Sequence, residues 1–69
     1  MKVTVFVQII GPINSRELWE LVEPFGMNLT DMGEKILVYG ECYLETASRV
    51  IFHCALYGDV MAEITHEKG

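Results

Sequence analysis

Sixty-nine residues are one domain's worth of chain, and 51% of them are apolar, so a folded core is expected rather than disorder. The formal charge is −5, and the five basic residues (Lys2, Arg16, Lys35, Arg49, Lys68) are scattered. That balance disfavours a nucleic acid or an anionic membrane as partner, because phosphate binding needs clustered Lys and Arg. No apolar run approaches membrane-spanning length, the start has no signal-peptide pattern, and Cys42 and Cys54 are too far apart for a close-spaced motif. A cytoplasmic protein with two reduced thiols and no cofactor is the expectation.

Lys2 to Ile10 is β-branched and aromatic almost throughout and is expected to be a strand. Val3, Val5, Val7 and Ile9 form one apolar face, and Thr4, Phe6, Gln8 and Ile10 the other, which is mixed. A central position, covered on at least one face, follows. The turn Gly11-Pro12-Ile13-Asn14 comes next. Asn14 and Glu17 stand at capping-box spacing, with Ile13 and Leu18 at the staple positions, so a helix is expected from about Ser15. Leu18, Trp19, Leu21, Val22 and Phe25 form its apolar stripe, while Arg16, Glu17, Glu20 and Glu23 form a solvated face. Pro24 and Gly26 close it.

Met27 to Asp31 is a shorter strand candidate, joined through Gly33-Glu34 to a second strong strand, Lys35 to Tyr43. There Ile36, Val38, Gly40 and Cys42 face one way and Lys35, Leu37, Tyr39, Glu41 and Tyr43 the other. Leu44 to Tyr57 returns to helical period, with Ala47, Val50, Ile51, Cys54, Ala55 and Tyr57 on one broad face. Phe52 and Leu56 make a second apolar ridge opposite, and His53 is expected on the outer side beside Arg49. Gly58-Asp59 ends this helix. A last strand, Val60 to His66, alternates Val60, Ala62 and Ile64 against Met61, Glu63 and Thr65, and 67–69 is expected to be a short polar tail after an ordered core of 1–66.

The order strand–helix–strand–strand–helix–strand, with right-handed crossovers, implies an α+β fold: a ferredoxin-like βαββαβ domain. Its four-stranded antiparallel sheet carries both helices on one face, and the strands from Lys2 and Lys35 are central. The uncovered face then holds Phe6, Gln8, Leu37, Tyr39 and Glu41, an apolar patch with a polar rim, expected to be an interaction surface.

The run Val5 to Ile10, followed by Glu17 to Gly26, resembles the opening of an RNA recognition motif. That resemblance implies base stacking at Phe6, Leu37 and Tyr39; Leu37 departs from the family's aromatic, Ile36 and Val38 replace its small residues, and the long basic hairpin loop is almost absent. The Gly11-Pro12 turn and the segment Gly26 to Leu29 resemble parts of the small-molecule-binding ACT domain. This second resemblance implies dimers and an amino-acid-like ligand at the loop Gly11, Pro12, Ile13 and Asn14.

Catalytic chemistry finds little support. His53, His66, Cys42 and Cys54 have no metal-ligand spacing; Cys54 falls on the buried helix face, where a thiol is inert, and Ser15 and Ser48 read as helix-start and surface residues. Gly11 lacks the further glycines of a phosphate loop. The expectation is therefore a non-enzymatic interaction or ligand-sensing module, without metal or cofactor, that self-associates as a homodimer through its open sheet face. An RNA-binding domain is the alternative.

Overall fold

The structure is a computed structural model and describes residues 1–66; the polar tail expected at 67–69 lies outside them. In chain order the elements are β1 (Lys2–Ile10), α1 (Ser15–Val22), a 3-10 turn (Glu23–Phe25), β2 (Asn28–Asp31), β3 (Lys35–Tyr43), α2 (Leu44–Ala55) and β4 (Asp59–His66). The four strands form one antiparallel sheet in the order β2-β3-β1-β4. β1 and β3 are the central pair, in register from Lys2 opposite Tyr43 to Ile10 opposite Lys35.

One core holds the molecule together. The inner face of the sheet contributes Val3, Val5, Val7, Ile9, Ile36, Val38 and Cys42, and the helices contribute Leu18, Val22, Ala47, Val50 and Cys54. Branched side chains suit a pleated surface, and each fully buried one is worth about 1.5–3 kcal/mol. No buried side-chain nitrogen or oxygen among the described residues lacks a partner, so this stabilisation is not eroded by stranded polar groups.

The first helix starts where its cap dictates. The Asn14 side-chain oxygen accepts from the backbone N–H of Arg16 at 3.0 Å and of Glu17 at 3.3 Å. Glu17 does not reach back to complete a capping box; its Oε1 accepts instead from the Tyr57 hydroxyl at 3.4 Å, a link across 40 positions of chain. The helix gives way at Val22 to the 3-10 turn that holds Pro24, and Gly26 at φ 77 supplies the left-handed cap. Phe25 therefore lies beyond the α-helix rather than on its stripe, and Trp19 is partly exposed at 38%.

His53 departs from its expected outer position. It is half-buried, with its ring stacked on Phe25 (centroids 6.3 Å apart) and met edge-on by Phe52 (6.1 Å). The turn after α1 puts Phe25 over that flank of α2, which a helical wheel of α2 alone does not show. Phe52 and Leu56 themselves stay exposed, at 65% and 68%, and so does Ala55 from the face expected to be covered.

Candidate functional site

Because strand side chains alternate, the burial of Val3, Val5, Val7 and Ile9 sends Lys2, Thr4, Phe6, Gln8 and Ile10 to the opposite side. The pairing registers then fix their neighbours. Phe6 stands between Tyr39 of β3 and Glu63 of β4. Gln8 stands between Leu37 and Met61, Thr4 between Glu41 and Thr65, and Ile10 between Lys35 and Asp59. β2 completes two rows, placing Asn28 opposite Tyr39 and Thr30 opposite Leu37. Phe6, Gln8, Leu37, Tyr39 and Glu41 are thus brought onto one outer face.

That face is partly apolar and open. Phe6 is 41% exposed, Tyr39 37% and Met61 68%, whereas Leu37 and Gln8 are half-buried between their row neighbours. Directly opposed residues on adjacent strands lie about 5 Å apart at Cβ, so Phe6 and Tyr39 stand as cross-strand neighbours at the centre of the sheet. The Tyr39 hydroxyl is tied to Thr30 Oγ1 at 3.3 Å, which holds its ring down along β2. Beside Phe6 the surface sinks into an open depression of ≈ 410 Å³ lined by Phe6, Gln8, Met61, Ala62 and Glu63. Gln8 sits at its edge, where its amide meets solvent rather than core. That location accounts for a polar residue in so apolar a strand.

Charge on this face is closer to neutral than on the whole chain. Its members include Lys2 and Lys35 against Glu41, Asp59 and Glu63, one net negative charge out of five. The remaining acid is carried elsewhere, including Glu17, Glu20 and Glu23 around α1.

Met61 and Glu63 were not among the residues singled out from the sequence. Alternation in Val60 to Thr65 gives their common side, but only the pairing with β1 sets them next to Gln8 and Phe6.

The Gly11–Asn14 loop has a structural part to play. A Cβ on Gly11 would lie 3.7 Å from both Gly58 Cα and the Tyr57 carbonyl oxygen, so the loop rests on the turn before β4. On the other side of that contact, a Cβ on Gly58 would meet the Ile10 carbonyl oxygen at 2.5 Å, which requires glycine there. Asn14 is occupied in capping α1.

The two thiols are free and buried. Burial pushes Cys54 up to about 11 and raises Cys42 as well, so neither is a ready nucleophile at neutral pH. The Tyr57 hydroxyl is also raised, by desolvation and by the adjacent Glu17 carboxylate that it bonds. Among the described residues no three His, Cys, Asp or Glu side chains converge as a metal site, and no helix is long and apolar enough to cross a membrane.

No family model matches the sequence, and neither a curated protein nor a solved structure matches the chain.

Proposed function

We propose that this chain is a small non-enzymatic interaction module that self-associates through its outer sheet face, on a ferredoxin-like βαββαβ scaffold. The scaffold reading is supported by the central β1–β3 pair and by both helices sending their buried residues into one core. The observation that carries the functional reading is the exposed Phe6–Tyr39 pair, flanked by Leu37 and Met61 at the middle of a sheet. An exposed apolar patch with a polar rim is the surface pattern of an association site.

A second copy is the occupant that fits the charge. The chain is acidic overall, but this face is nearly balanced, so two such faces meet with little of the repulsion that the net charge implies. Burying the patch also helps a chain this short, which by itself buries only about 60% of its unfolded surface. Unpaired buried cysteines fit a reducing compartment, and a cytoplasmic site of action is part of the proposal.

RNA stacked on Phe6 and Tyr39 is the competing use of the same pair. Salt separates the two. Association between chains of charge −5 strengthens as salt screens their repulsion, whereas RNA binding weakens as phosphate contacts are screened. The test is solution mass by light scattering for wild type and Tyr39→Glu at 0.02 and 0.3 M NaCl, with a fluorescent single-stranded RNA titrated in parallel. The proposal expects wild-type mass above one chain and rising with salt, a lower mass for Tyr39→Glu, and no RNA binding. Tyr39-dependent RNA binding that fades with salt, with mass unaffected by the substitution, would replace it.

A further inference from the structure

β4 is an edge strand of eight residues, and its outer edge pairs with nothing among the described residues. Long unpaired edges are templates for another strand. The inner side of this edge is only partly covered, although α2 reaches β4 and Val60 and Ile64 pack against the core. Val60, Ala62 and Ile64 continue the rows of Ile9, Val7 and Val5, all three of which are fully buried. Yet Val60 and Ile64 are only half-buried and Ala62 is exposed. The hydrophobic rows run out to the sheet margin, where they are covered only in part.

We infer that this edge pairs with the β4 edge of a second copy, antiparallel about a two-fold axis at Ala62, making one continuous eight-stranded sheet. The inference goes beyond the outer-face contact and does not depend on it. A two-fold contact must be self-complementary, and the sequence of β4 can be tested for that register by register. Opposed residues in an antiparallel pair share a face, so the axis falls on a residue that stands opposite itself.

An axis at Glu63 sets Glu63 against Glu63, and one at Met61 sets Glu63 against Asp59; like charges directly opposed are destabilising. An axis at Ile64 avoids both clashes but pairs only Ala62 to His66. The axis at Ala62 pairs Asp59 through Thr65 and opposes no like charges. It sets Val60 against Ile64 on the inner side, closing the open rows, and Glu63 against Met61 on the outer side. The depression bounded by Met61 and Glu63 lies at this margin, so the two outer faces would become a single surface.

Cysteine substitution reads the register directly. Opposed residues sit at Cα separations within disulfide range, and a residue on the axis faces its own copy. The full-length chain is made as Ala62→Cys, Val60→Cys, Met61→Cys and the double substitution Val60→Cys/Ile64→Cys. Each is oxidised with oxidised glutathione, which accepts the two electrons and two protons of each thiol pair, and run on non-reducing gels. Wild type sets the baseline, since Cys42 and Cys54 are buried with raised thiol pKa values.

Ala62→Cys is expected to give a linked dimer at several times the baseline, as is the double variant. Val60→Cys and Met61→Cys alone are expected at baseline. The result is expected to persist in a Tyr39→Glu background, which separates this contact from the outer-face one. Baseline linkage for Ala62→Cys, or equal linkage at 60, 61 and 62, would overturn the inference.

Discussion

The two edges of the sheet are built differently. β2 is four residues long, and Asn28, Thr30 and Asp31 are exposed polar groups. Its partner residue Tyr39 is pinned to it through Thr30, and the Asp31 carboxylate accepts the Gly33 N–H at 2.9 Å within the following turn. β4 is eight residues long and leaves Ala62 open on its inner side. Short, polar, locally satisfied edges discourage further pairing, and long ones with apolar flanks invite it. A single sheet can therefore carry one closed margin and one prepared for a partner, and the difference lies in strand length and in what flanks it.

The largest effect expected from this contrast is on association. Ala62→Lys places an ammonium group opposite its own copy at an exposed site, and is expected to weaken edge pairing by at least about tenfold while leaving the fold intact. Asp31→Lys on the β2 edge, on the side of the sheet away from Tyr39, is expected to leave solution mass unchanged. Equal effects of the two substitutions, measured by light scattering with circular dichroism as the folding control, would erase the distinction between the edges.

Stability changes probe what anchors the open edge. Gly58→Val forces a side chain against the Ile10 carbonyl where β4 begins, and is expected to cost about 3 kcal/mol in chemical denaturation. A loss below about 1 kcal/mol would mean that this close approach does not position β4. Next comes the buried thiol of α2. Cys54 is raised when folded, so the folded state holds its proton more tightly than the unfolded chain. Its contribution is present below about pH 9 and is lost as pH climbs towards 11, on the order of 2 kcal/mol in all. Cys54→Ala should flatten that alkaline decline; an identical decline in the variant would assign it to other groups. Asn14→Ala removes the cap of α1, with an expected loss of about 1 kcal/mol and no change in mass.

Much of the scaffold was legible because its signals are local. Runs of Val, Ile, Phe and Tyr delimit β1 and β3 to the residue, and Asn14 marks the start of α1. What the sequence did not disclose depends on contacts between distant segments. Glu17 turns to Tyr57 rather than to its own cap, and His53 is covered by Phe25 from the turn after α1. At the outer face, Phe6, Gln8, Leu37, Tyr39 and Glu41 follow from alternation alone, but Met61 and Glu63 join them only through the β1–β4 register. The exposure of Ala62 is still less legible, because alternation gives its side of the sheet and not the reach of the helices above it.

The most direct test of the whole account is solution mass by multi-angle light scattering at one concentration. Four chains are compared: wild type, Tyr39→Glu, Ala62→Lys and the double variant. Two separate self-association surfaces require the wild type to be the largest species, each single variant to be smaller, and the double variant to have the mass of one folded chain. A wild type that already has the mass of one chain at high protein concentration and 0.3 M NaCl would contradict the account.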